Sequence, residues 1–124
     1  FDAGKKDYIY FSKAQRDCVL KIHDFVVEHI TEHYTIEELA ERFEISPTAM
    51  KKCFKEMYGV PIYTYCRTYR LQIAEKLLRE GQLSVAEIAA KIGYINPNKF
   101  TSAFCSEYKM TPTEYKKDVQ MDRK

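Results

Sequence analysis

The feature that most limits what this 124-residue chain can fold into is a repeat. Thr35-Ile-Glu-Glu-Leu-Ala lies over Ser84-Val-Ala-Glu-Ile-Ala at an offset of 49, and Pro47, Phe54, Tyr58 and Tyr65 lie over Pro97, Phe104, Tyr108 and Tyr115 at an offset of 50. One residue is added at the turn, where Ile45-Ser46 becomes Tyr94-Ile95-Asn96. Each copy reads as a short helix, a turn, and a second helix that leads on toward a third. Thr35 with Glu38, and Ser84 with Glu87, have capping-box spacing, in which two residues satisfy each other's backbone and side chain. Ser46 and Asn96 can cap the second helices. Pro47 and Pro97 follow at the first helical position, where the missing N–H would lack a partner anyway. Two copies fall short of the three or more that a solenoid needs, so the pattern is a duplicated helix-turn-helix.

The rest of the chain fits around that duplication. Apolar spacing between the Gly and Pro residues is helical and not alternating, which predicts an all-α fold of seven helices. The first runs from Lys13 to His33, capped by Ser12 with Gln15, and turns Cys18, Ile22, Phe25, Val26, His29 and Ile30 inward. A long linker helix over 61–80, stopped by Gly81, joins a first helix-turn-helix at 35–59 to a second at 84–109. Thr111, Pro112 and Glu114 open a last helix that ends near Val119. The helical domain thus spans 13–119, with an N-terminal arm or linker remnant at 1–12 and a tail at 120–124. Phe1 in place of Met reads as a cut from a longer chain. Hydrophobic residues make up 45% of the sequence, enough for a core. No apolar run approaches the ~18 residues of a membrane span, and no signal sequence opens the chain, so the expected location is the cytoplasm. Cys18, Cys53, Cys66 and Cys105 show no C-x-x-C spacing and read as reduced, mostly buried thiols.

Charge is segregated. From Asp24 to Ile45 seven acids stand against Arg42, a net of −6; from Ser46 to Lys76 six bases stand against Glu56 and Glu75, a net of +4. A chain that meets a polyanion on one face has this pattern. The outward early face of the first copy's second helix is Thr48, Lys51, Lys52 and Lys55; in the second copy it is Asn98, Thr101 and Ser102, with Lys99 beside them. These groups can hydrogen-bond base edges, and lysines can hold phosphate as Lys55 and Lys99 are placed to do. A linker helix of about 19 residues, at ~1.5 Å each, is roughly 28 Å long. That suits two helices in successive major grooves, ~34 Å apart on one face of B-DNA.

The stretch Leu83–Lys117, "LSVAEIAAKIGYINPNKFTSAFCSEYKMTPTEYKK", carries Ile88, Ala89, Gly93, Tyr94, Phe100, Phe104, Pro112, Tyr115 and Lys116 at the spacing of the AraC/XylS family of bacterial transcription regulators, which the chain resembles from about Ile22 to Lys117. "YCRTYRLQIAEKLL" resembles that family's linker helix. The resemblance implies a seven-helix, two-lobe domain that binds double-stranded promoter DNA, works with RNA polymerase, and sits beside an upstream sensor or dimerisation domain. It implies base reading by Thr48, Lys51, Lys52, Pro97, Asn98, Thr101 and Ser102. It implies backbone contacts from Thr35, Arg67, Tyr69, Arg70, Ser84, Tyr115 and Lys116. Neither cofactor nor metal is implied. Three positions depart from the family. Lys109 stands where a left-handed Gly is usual, Pro61 where the linker helix is often capped by Ser or Thr, and Ser102 where Arg or Lys is common.

Two other classes fit parts of the sequence. His29 to His33 spells H-x-x-E-H, which can hold zinc when its histidines lie one helical turn apart. No third ligand follows at a telling spacing, so an enzyme is not expected. A helical protein-interaction module without DNA binding would account for amphipathic helices, but not for the duplicated turns or the basic middle.

Overall fold

A computed structural model describes residues 11–122; residues 1–10 of the arm expected at 1–12, and the last two residues of the tail, lie outside it. Seven helices and no strand occur among the described residues: α1 (Lys13–Glu28), α2 (Ile36–Arg42), α3 (Pro47–Tyr58), α4 (Ile62–Glu80), α5 (Val85–Lys91), α6 (Pro97–Tyr108) and α7 (Pro112–Asp122). None is long and apolar enough to cross a membrane.

The local rules are obeyed at the starts of α2, α3, α5, α6 and α7. The Glu38 N–H donates to Thr35 Oγ1 at 3.0 Å while Thr35 N–H donates to Glu38 Oε1 at 2.8 Å. Ser84 and Glu87 repeat this at 3.1 and 2.8 Å, and Thr111 and Glu114 at 3.1 and 2.9 Å. Ser46 Oγ accepts from Ala49 N–H at 3.1 Å, and Asn96 Oδ1 from Asn98 N–H at 2.9 Å. Each of these contacts satisfies a donor that the first helical turn would otherwise leave without a partner.

The chain divides into two units that interleave in sequence. Unit one holds residues up to Phe25 and then Tyr34–Ile62; unit two holds Val26–His33 and then everything from Tyr63. In unit one, Val19 and Ile22 of α1, Leu39 and Ala40 of α2, and Met50, Cys53 and Phe54 of α3 are buried. Phe25 meets Phe43 edge-on at 5.6 Å, and His23 stacks on Tyr58 at 4.6 Å. In unit two, Leu71, Ala74 and Leu78 of α4 pack with Ile88, Ala89, Ile92, Phe100 and Phe104. Tyr108 and Tyr115 close this core at its edge, the latter edge-on to Phe104 at 5.6 Å.

Several boundaries differ from expectation. The first helix stops at Glu28, not His33. Residues 29–32 turn instead, with Glu32 N–H donating to His29 O at 2.9 Å, because the segment's carbonyls serve unit two. Arg70 Nε donates to Ile30 O at 2.7 Å and its Nη2 to Glu32 O at 3.3 Å. The linker helix begins at Ile62, with Pro61 just outside it, and α7 runs three residues past Val119. All four cysteines are free thiols; Cys53 is buried, but Cys105 is exposed.

Gly93 marks a close backbone approach in unit two. Its φ is 92°, and a Cβ there would lie 2.6 Å from the backbone oxygen of Thr31. His33 Nε2 pairs with the Gly93 carbonyl on the same turn. Among the described residues, two other than glycine are left-handed, Glu44 at φ 56° and Lys109 at φ 63°. The Lys109 turn therefore keeps the left-handed shape that the departure from Gly put in question.

Candidate nucleic-acid interface

Helices α3 and α6 are built to one plan. On α3 the buried stripe is Met50, Cys53 and Phe54, and the opposite row of Thr48, Lys51, Lys52 and Lys55 is exposed. These outward positions are three and four residues apart, so they form one face of a 3.6-residue helix. On α6 the stripe is Phe100 and Phe104. The outward row holds Asn98, Ser102 and Cys105, all exposed, with Thr101 half-buried. Pro97 and Lys99 are exposed beside it. The rows correspond residue for residue at the offset of 50, and there Cys105 takes the place of Lys55. Sequence reasoning passed over Cys105 because a cysteine reads as core.

Beside α6 lies an open groove of about 430 Å³, contained within unit two. Tyr63, Arg67, Tyr94, Asn98, Lys99 and Ser102 line it. Two of these are expected base readers and two are expected phosphate contacts, so the groove brings α4 side chains to the α6 face. Arg67 is half-buried, and its Nε is enclosed and makes no hydrogen bond within the protein. Burial holds the Tyr94 phenol above its ordinary range, an effect the Arg70 and Arg67 charges partly offset. Tyr63 was not singled out from the sequence, yet it is 73% exposed at the groove.

The remaining expected backbone contacts divide. Thr35 and Ser84 are exposed caps whose oxygens accept from Glu38 and Glu87 N–H, which leaves each hydroxyl proton to be donated. Tyr69 is half-buried, its ring stacked 6.4 Å from Tyr65. Arg70 departs from expectation. It is only 9% exposed and spends its guanidinium on the Ile30 and Glu32 carbonyls, so it holds unit two together and does not face solvent. A sequence shows two arginines three apart on α4; it does not show that one of them has carbonyls waiting for it. Tyr115 is likewise engaged, donating its hydroxyl proton to Glu75 Oε2, with Arg79 Nη2 at 3.4 Å from the phenol oxygen. Burial pushes the Glu75 carboxyl up, but hydrogen bonds from Arg79 and Tyr115 outweigh it and hold the group below its usual range. A phenol already bonded to a carboxylate is a structural group rather than a free phosphate donor. Lys116 Nζ donates to Leu83 O at 3.0 Å and has two further donors.

The H-x-x-E-H string has no helix beneath it, since α1 ends at Glu28. Its two histidines therefore do not sit one helical turn apart, and among the described residues no group of three or more His, Cys, Asp or Glu gathers as a metal site.

A family model described as a helix-turn-helix domain matches residues 39–118. The chain belongs to the AraC-type helix-turn-helix family. Among its curated relatives is the HTH-type transcriptional activator RhaR of Mannheimia succiniciproducens, 30% identical over 89 residues, which are 72% of this chain and 32% of the relative. The bifunctional transcriptional activator and DNA repair enzyme AdaA of Bacillus subtilis is 27% identical over 101 residues, 82% of this chain and 48% of that protein. This chain spans about a third of RhaR, and less than half of the other curated relatives it matches most strongly. The fold of this AraC-type domain is that of known structures. The DNA-binding domain of AdpA, solved with a target DNA, superposes with a TM-score of 0.80 at 24% identity, over 85% of this chain and 95% of that one. The C-terminal domain of a yesN response regulator from Fusobacterium nucleatum gives 0.71 at 26% identity, over 78% and 96%.

Proposed function

We propose that this AraC-type domain is the DNA-binding part of a transcription regulator, which lays the early faces of α3 and α6 in the major groove of double-stranded promoter DNA. The matched pair of outward rows carries the reading. Two helices, in register with each other across a duplication, each keep aromatic or sulfur side chains inside and hydrogen-bonding groups outside. The major groove admits one helix and presents a distinct donor and acceptor pattern for each base pair. Thr48, Lys51 and Lys52 read bases from α3, and Pro97, Asn98, Thr101 and Ser102 form the corresponding face of α6. Phosphate contacts fall to Lys55, Arg67 and Lys99, to the Thr35, Ser84 and Tyr69 hydroxyls, and to the two donors that Lys116 keeps.

Nineteen residues of α4 give a helix about 28 Å long, which suits one chain reading successive grooves. The first reader brings Lys51 and Lys52, and the second only neutral groups, so the block read by α3 contributes more affinity and α6 leans on phosphates and DNA shape. The same reading carries a role without catalysis, action in the cytoplasm with RNA polymerase, and a sensor or dimerisation domain elsewhere in the full protein.

Selection of bound duplexes from a random pool tests this directly. The expected result is a site of two unequal blocks about one helical turn apart, with binding that weakens linearly in log–log form as salt rises. Lys52→Ala should cost about 1–3 kcal/mol at one base position. Recovery of no preferred duplex, or affinity that is flat in salt, would overturn the proposal.

A further inference from the structure

The turn into α6 has one residue more than the turn into α3, and the structure identifies the extra residue as Ile95. Its neighbours behave alike in the two copies. Ile45 N–H donates to Ala40 O at 3.0 Å, and Tyr94 N–H donates to Ala89 O at 2.9 Å. Both of those side chains are half-buried, and Ser46 and Asn96 then cap their helices. Ile95 is the residue left between, and it is 94% exposed. No packing accounts for an isoleucine there. Turns of this kind are served by small or polar residues, and β-branched side chains gain nothing from full hydration. It stands directly before Asn96, Pro97 and Asn98, at the end of α6 that carries the expected base readers. The outward row of α6 bears no charge, so a contact without hydrogen bonds would add selectivity where this reader has least.

We propose that Ile95 recognises thymine, packing its side chain against the C5-methyl group of one thymine at the edge of the base block read by α6. This rests on the DNA-binding reading above and names a residue and a base group within it. The methyl is the one apolar mark by which the major groove distinguishes an A·T pair, and apolar side chains read it by contact. Insertion as a wedge between base steps is the other way an apolar residue meets DNA, but that belongs to the minor groove.

The test uses a duplex recovered by selection, with each thymine replaced singly by deoxyuridine, which removes the methyl and keeps the pairing. Removing one methyl from a dry contact corresponds to about a fourfold loss in affinity. At one thymine the wild-type chain should lose about that factor. Ile95→Ser should bind the parent duplex correspondingly less well and be indifferent to the replacement at that position, whereas Ile95→Val should keep the discrimination. At such exposure the variants should melt with the wild type, so altered folding cannot imitate the result. The proposal fails if no thymine separates wild type from Ile95→Ser, or if Ile95→Ser binds every duplex as the wild type does. A wild-type chain that binds no duplex at all instead overturns the DNA reading beneath it.

Discussion

Lys109 ends α6 in a left-handed conformation, φ 63° and ψ 20°, at the place where Gly59 ends α3 with φ 84°. A side chain in that region brings Cβ close to the following carbonyl oxygen, at a cost of about 1–2 kcal/mol. Lys109→Gly removes that cost but adds freedom to the unfolded chain, worth about 0.4–1 kcal/mol against it. It also removes the exposed Nζ bond to Ser106 O at 3.2 Å, a surface contact of little value. The net expectation is a gain of about 0.5–1 kcal/mol, or roughly 2–4 °C in Tm for a domain of this size. Gly59→Lys is the reciprocal test. Nothing lies within 4 Å of the Cβ it would add, so the change isolates the conformational cost and should lower stability by a similar amount. Thermal melts followed by far-UV circular dichroism, with urea unfolding as a second measure, give both numbers. If Lys109→Gly is neutral or destabilising, the left-handed cost at this turn has been misjudged.

Other outcomes follow from the same geometry. Gly93→Ala should be far more damaging than Gly59→Ala, by roughly 2 kcal/mol or more, because its Cβ meets the Thr31 backbone as well as the unfavourable φ; equal urea midpoints for the two variants would refute this. Arg70→Lys cannot span both carbonyls and should cost about 2–3 kcal/mol of stability while leaving the salt slope of DNA binding unchanged, since Arg70 does not face solvent. Backbone and side-chain hydrogen bonds from Ser84 hold the Glu87 carboxyl below its ordinary range, and those from Thr111 do the same for Glu114. A carboxyl whose folded pKa is depressed stabilises above its unfolded pKa, near 4.3, and loses that contribution as pH falls through the folded value. The Tm should therefore fall below about pH 4, and Glu87→Gln, which can still cap, should flatten that fall.

The parts of the fold that were legible in advance are those settled within a few residues. Caps such as Thr35 with Glu38, prolines at the first helical position, and the inward stripe of Phe100 and Phe104 depend on spacing alone, and spacing is written in the chain. The outward rows of α3 and α6 followed as the complement of those stripes. What could not be read depends on partners distant in sequence. Arg70 looks as available as Arg67 until the carbonyls of 29–33 reach it, and those carbonyls also explain why α1 stops at Glu28. Val19 was missed because Cys18 and Ile22 already made an acceptable stripe. The added residue at the second turn was legible as a count, but that it is Ile95, and that it is exposed, depends on the backbone bonds of its neighbours.

The interleaving of the units bears on how the molecule can be made and divided. Val26–His33 is synthesised before Arg70 and Gly93, so the segment must wait, without its guanidinium and without the turn it leans on, while α2 and α3 are made. Unit one is complete in sequence by Ile62, whereas unit two cannot be complete until α5, α6 and α7 have been made. A fragment beginning at Tyr63 would hold both helices of the second reader, yet it would leave Arg70 without the two carbonyls that receive its guanidinium.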